Sequence, residues 1–158
     1  YQSDELRQIA LRSAHLLEIG IDLESATEIA SRCRGSARLC NRILKRVRDY
    51  AQVKGEGTIT HAITLHALEQ IRVDAEGLDD MDRKYIRSII ELHKGGPAGI
   101  DAIAASLGED RGTLEDVVEP YLLKKGYILR TPRGRIVTEK SYRHLNLPLS
   151  EDQQQKLF

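Results

Sequence analysis

Arg130-Thr131-Pro132-Arg133-Gly134-Arg135-Ile136-Val137-Thr138-Glu139 is the stretch on which the fold turns. The preceding Tyr127-Ile128-Leu129 and the following Ile136-Val137-Thr138 carry the aromatic, aliphatic and β-branched residues that strands favour. Between them Pro132 fixes φ and Gly134 permits positive φ, which is turn chemistry. The stretch therefore reads as a β-hairpin with a cationic tip. Arg130, Arg133 and Arg135 crowd one narrow protrusion, and each guanidinium is a planar fork that matches phosphate oxygens.

Upstream, the pattern is helical in two blocks. Asp4 can cap a first helix with an apolar stripe of Leu6, Ile9, Ala10, Leu16 and Leu17, stopped by Gly20. Leu23, Ala26, Ile29, Ala30 and Cys33 mark a second, closed by Gly35. Ser36 can cap the longest helix, 37–54, whose Leu39, Ile43, Leu44, Val47, Tyr50 and Ala51 recur at helical spacing. Gly55 and Gly57 should end it, and Thr60 should open a fourth helix with Ile63, Ala67, Leu68 and Ile71. Residues 1–72 thus form a four-helix bundle, and the polar, Gly-containing 73–79 reads as a linker. Beyond it a helix from Asp80 or Asp82 holds Tyr85, Ile86, Ile89, Ile90 and His93. A short helix follows from Ile100 to Leu107, stopped by Gly108, and a third starts at Thr113 with Asp116 as its capping-box partner. Pro120 should kink or split that helix, and Gly126 should end it before the hairpin. Helix, helix, helix, hairpin over 80–147 is the winged-helix order, a variant of helix-turn-helix that binds DNA. Residues 148–158 read as a flexible, Gln-rich tail. The fold class is mainly α, a small helical bundle followed by a winged helix with a β-hairpin wing.

Composition agrees and narrows the function. Tryptophan is absent and phenylalanine occurs once, so the core is built from Leu, Ile, Val and Ala. The formal net charge is zero, which argues against indiscriminate nucleic-acid binding. The charge is nevertheless blocked: Arg34, Arg38, Arg42, Lys45, Arg46, Arg48 and Lys54 face only Asp49 within 34–54. That basic helix face reads as solvated, or as an interface to an acidic neighbour, and not as a second DNA site. Cys33 and Cys40 match no metal spacing, and the five histidines form no ligand cluster, so no metal site is expected. No signal peptide and no membrane-length apolar run appears. A chain beginning with Tyr1 and holding a single methionine, Met81, reads as a piece of a longer protein.

Several strings, in order, carry a resemblance: Val47-Arg48-Asp49-Tyr50, Val73-Asp74-Ala75-Glu76-Gly77-Leu78-Asp79, Gly95-Gly96-Pro97, Leu107-Gly108-Glu109, Glu119-Pro120-Tyr121-Leu122 and Arg130-Thr131-Pro132-Arg133-Gly134-Arg135. Together they resemble the RuvB family, AAA+ ATPases that drive Holliday-junction branch migration in bacteria. The resemblance runs from Tyr1 to about Leu147 and implies the AAA+ lid followed by the C-terminal winged-helix head. No G-x-x-x-x-G-K-[ST] phosphate loop occurs, so this piece should not hydrolyse ATP alone. The resemblance implies a sensor 2 role for Arg38, reaching the γ-phosphate of ATP held with Mg2+ by a large domain not contained in this chain. It also places Tyr1 beside that nucleotide. Gly35-Ser36-Ala37-Arg38 departs from the family's Gly-Thr-Pro-Arg: Ser36 keeps a capping hydroxyl, while Ala37 gives up a rigid first-turn residue. The family's DNA-contact positions fall on Arg111, Arg130 and Arg135, and Arg133 joins them from its place at the tip.

The resemblance further implies a hexameric ring, a junction-binding partner RuvA and a cytoplasmic, bacterial setting. The tail Gln154-Gln155-Lys156-Leu157-Phe158 resembles short sliding-clamp ligands and is a weak candidate for that contact. Glu115, Asp116 and Glu119 would repel phosphate from the third helix, so the expected grip is wing-first, on the backbone, without sequence readout. A transcription regulator and a non-DNA interaction module are the alternatives. The first would need an amide-rich or basic recognition helix; the second would show no salt dependence of nucleic-acid binding.

Overall fold

The computed structural model describes residues 1–54 and 57–149. The chain divides into two compact units, Tyr1–Asp79 and Asp80–Phe158.

The first unit holds α1 (Ser3–Leu16), α2 (Leu23–Ser31), α3 (Ala37–Lys54) and α4 (His61–Gln70). Leu6, Ala10 and Ala14 of α1 are buried at four-residue steps against Ile29, Leu44, Val47 and Leu68 of the same apolar cluster. Leu16, expected inward, is 71% exposed. It lies two residues past Ala14, about 200° round a 3.6-residue helix, and so faces away. Leu23, at the first position of α2, is likewise exposed. The caps follow local chemistry: Asp22 and Thr60 accept from the N–H groups of Ser25 and Ile63, and Ser36 Oγ accepts from Leu39 N at 3.3 Å. Asp4 is not the cap of α1; Gln2 precedes the helix and its N–H donates to Glu5.

Gly20 was expected as a left-handed stop, but Glu18 takes that conformation at φ 56. Gly20 serves a close approach instead: a Cβ there would sit 3.2 Å from Thr58 Cγ2, beside a parallel bridge between Ile21 and Ile59. Gly57 has φ 82; Gly55, the other glycine expected to end α3, lies outside the described residues. The polar segment 73–79 is an ordered turn of this unit. The Asp74 carboxylate accepts from the N–H groups of Glu76 and Leu78, while Arg32 and Arg34 donate to the carbonyls of Val73 and Gly77. Cys33 and Cys40 are free, buried thiols that donate to the carbonyls of Ile29 and Leu6; the neighbouring Cys40 and burial push the Cys33 thiol up from its ordinary range.

The second unit holds α5 (Asp80–His93), α6 (Ile100–Leu107), α7 (Arg111–Thr113) and α8 (Glu119–Lys124). Strands β1 (Ile128–Thr131) and β2 (Gly134–Val137) and helix α9 (Glu139–His144) follow. Asp110, not Thr113, caps the third helical stretch, accepting from Thr113 N at 3.2 Å. A π-helical turn, Leu114–Val118, joins α7 to α8, and Glu119 N–H reaches back to Leu114 O. Pro120 has no N–H to offer the previous turn, and the ladder widens by one residue just ahead of it. Helix α9 was not foreseen. Its Tyr142 is buried, and Ser141 Oγ and Thr138 Oγ1 donate to the Tyr127 carbonyl.

The hairpin is antiparallel, with Arg130 opposite Arg135 and Thr131 opposite Gly134, which leaves Pro132 and Arg133 as a two-residue turn. Thr131 Oγ1 brackets that turn, donating to Gly134 O and accepting from Arg133 N. The other edge of β2 is held by Ala98, whose N–H and C=O both exchange hydrogen bonds with Arg135, at 2.9 and 2.7 Å.

Among the described residues no helix is long and apolar enough to cross a membrane, and no group of three or more potential ligands could hold a metal ion. Residues 150–158, with the candidate clamp ligand, lie outside the described residues.

Candidate functional site

The candidate residues fall in two places, one in each unit. In the first unit the turn between α2 and α3 brings Tyr1 to Gly35, with Tyr1 N donating to Gly35 O at 3.2 Å. Both Arg34 and Gly35 take positive φ, 56 and 72, to reverse the chain into the Ser36 cap. Arg38 follows in the first turn of an 18-residue helix, exposed and with no ion pair among the described residues. Tyr1 is 73% exposed. An un-neutralised guanidinium beside the first-turn N–H groups of a helix suits a phosphate group. The Arg38 guanidinium and the helix start therefore fit a phosphate group.

The second place is the wing. Arg133 stands at its tip, exposed and without an ion pair among the described residues. Arg130 is 52% exposed on its side chain and lies 3.4 Å from Glu119. Arg111 is exposed but already engaged, bonded to Asp101 at 3.3 Å and to Glu115 at 3.1 Å. Arg135 differs most from the sequence reading. Its side chain is only 15% exposed, and its Nε and Nη2 form a two-pronged contact with Glu119 at 2.8 and 3.1 Å.

Glu119 is correspondingly not a surface carboxylate that would repel DNA; it is fully buried. Tyr85 Oη donates to it at 2.8 Å, so helix α5, helix α8 and both wing strands meet at one carboxylate. Burial pushes the Glu119 carboxyl upward. The hydrogen bonds from Arg135 and Tyr85, with the charges of Arg135 and Arg130, outweigh that and hold it below the ordinary carboxylate range. Burial and the neighbouring carboxylate push the Tyr85 phenol well up, so it stays a donor. Sequence reasoning missed Glu119 and Tyr85 as organisers of the wing. Their partners are 16 and 34 residues apart in the chain, and no local pattern reports such a meeting.

Two family models match end to end: the RuvB AAA lid domain over residues 1–74 and the RuvB C-terminal winged helix domain over residues 75–146. The chain belongs to the RuvB family. The RuvB Holliday junction branch migration motor of Thermotoga maritima is 47% identical, covering 95% of this chain and 50% of that one, with a TM-score of 0.90. Two single-substitution variants of T. maritima RuvB give the same figures. The chain thus spans half the length of those RuvB structures. Its architecture is that of the family's lid and winged helix, mainly helical with one two-stranded hairpin among the described residues.

Proposed function

We propose that this chain is the lid and DNA-gripping head of an ATP-driven motor for Holliday-junction branch migration. The observation that carries the reading is Arg133, an un-neutralised guanidinium at the tip of a braced two-residue turn. Arg133, and Arg130 through the exposed half of its side chain, meet phosphate oxygens of the duplex. Arg135 and Arg111 belong to the same surface but spend their charge within the protein, Arg135 as the wing's anchor. Contacts to phosphate position the protein without reading bases, which suits a motor that must move along any sequence.

On the lid, Arg38 contacts the terminal phosphate of a nucleotide and Tyr1 packs beside it. Bound ATP with Mg2+, held mainly by residues outside this chain, supplies the phosphoanhydride bond. Without a phosphate loop this chain does not turn over ATP by itself. The working assembly is a hexameric ring around duplex DNA that meets RuvA at the junction, in a bacterial cytoplasm. A tail contact with the sliding clamp is a minor part of the proposal.

Replacing Arg38 with Ala in the full-length motor tests the lid. Duplex binding should persist, while ATP turnover should fall roughly a hundredfold or more, as when a preorganised donor is removed. Unchanged turnover at saturating ATP excludes the phosphate-sensing role.

A further inference from the structure

The lid carries a second group of arginines, which flank Arg38 in sequence but line a cleft that Arg38 does not. The turn after α2 and one face of α3 enclose a cleft of about 150 Å³, lined by Arg32, Arg34, Arg42 and Arg46, with Ile43 among its apolar residues. Asp79 is the one carboxylate in its lining. Arg42 and Arg46 stand one helical turn apart, exposed, and neither forms an ion pair among the described residues. Arg48 on the same helix, by contrast, pairs with Asp49 at 3.0 Å.

Arg32 and Arg34 are fixed differently. Arg32 donates to the Val73 carbonyl at 2.9 Å and Arg34 to the Gly77 carbonyl at 2.9 Å. Arg32 also meets Glu28 at 3.3 Å, yet its Nε is a buried donor with no acceptor. Such an orphan is costly, and a bound oxyanion is one of the few things that would satisfy it. Two un-neutralised guanidiniums, Arg42 and Arg46, beside the orphaned Nε of Arg32 make an arrangement for binding negative charge.

From this we infer that the cleft binds a phosphate group. Its volume sets the size class. It holds a tetrahedral oxyanion with a few waters, each water occupying about 30 Å³. It falls short of the roughly 300–1,000 Å³ that larger organic ligands need, so an entire nucleotide is excluded. The phosphate comes from inorganic phosphate in solution or from a nucleic-acid backbone, and the chemistry of recognition is the same.

The test follows the arginine side-chain N–H signals of the 158-residue chain by ¹H–¹⁵N correlation, titrating inorganic phosphate at constant ionic strength. The Arg32, Arg42 and Arg46 signals should shift and saturate, and phosphate should raise the thermal midpoint of the lid. Arg42→Gln with Arg46→Gln should weaken phosphate binding about tenfold or more, as expected when two charge-assisted bonds are lost. Arg46→Lys, keeping charge but not the fork, should fall between. Both sites are exposed helix positions, and circular dichroism checks that the helix persists. In a second arm a short duplex replaces phosphate in the Arg133→Ala chain. Shifts at the same arginines then identify the backbone as the source, whereas shifts with inorganic phosphate alone identify a free anion. Phosphate effects no larger than those of chloride at equal ionic strength, or undiminished in the double variant, overturn the inference.

Discussion

Glu119 accepts hydrogen bonds from Tyr85, Arg130 and Arg135 while fully buried, and it pulls residues from both ends of the second unit onto two oxygens. A buried pair of this kind contributes little over an apolar substitute, but breaking it leaves one charge stranded. Glu119→Gln should therefore destabilise the winged helix by about 3 kcal/mol, read by chemical denaturation. Tyr85→Phe removes one bond to a charged acceptor and should cost about 1.5 kcal/mol. The pH dependence has a definite sign. The folded-state pKa of Glu119 lies below its ordinary 4.5, so its contribution is full above that value and is lost as pH falls through the lowered one. Glu119→Gln should abolish that part of the acid sensitivity, and an unchanged acid slope would contradict the assignment. Arg133 was legible in the sequence because Pro132 and Gly134 fix its turn locally. Arg135 was not, because the carboxylate that silences its charge, Glu119, lies 16 residues away in the chain on α8.

The wing and its supports behave as one element. A Cβ at Gly134, which has φ 135, would stand 2.5 Å from the Ala98 carbonyl oxygen, so backbone meets backbone with no room between. Gly134→Ala should cost at least about 2 kcal/mol and loosen the hairpin, visible as faster amide exchange at Arg135 and Ala98. Helix starts set by short-range chemistry, such as Ser36 for α3 and Thr60 for α4, could be read directly. The third helical stretch could not be placed as well. Asp110 and Thr113 both have capping side chains, and Asp110 takes the cap, after which the π turn absorbs the gap left by Pro120. Helix α9 escaped notice because its six residues are too few for periodicity to register; Tyr142 and Ser141 hold it by tertiary contacts.

At the scale of the whole molecule, charge is nearly balanced in each unit. The second unit has 13 Lys and Arg against 12 Asp and Glu. On the proposed function, the wing's share of any DNA affinity rests on Arg133 and the exposed part of Arg130. One or two phosphate contacts give a slope of log affinity against log salt of about −1 to −2 on duplex DNA. Arg133→Ala should flatten that slope by about 0.9, equally on unrelated sequences, without changing the thermal midpoint. Loss on one sequence with retention on another would mean that the wing reads bases. Arg135→Ala should instead lower the thermal midpoint, the behaviour of an anchor. On that reading so weak a grip per copy would make several copies on one duplex worthwhile, because each further contact is intramolecular.

Bracing β2 along both edges has a mechanical consequence. If the wing grips a duplex as proposed, a pull would enter the protein at Arg133 and run down two strands, β2 being bonded to β1 on one side and to Ala98 on the other. Bonds loaded side by side share a force that would break them singly if they were peeled in turn. A wing braced in this way is closer to a gear tooth than to a tether, and on the proposed function it would deliver displacement to the DNA with little slack.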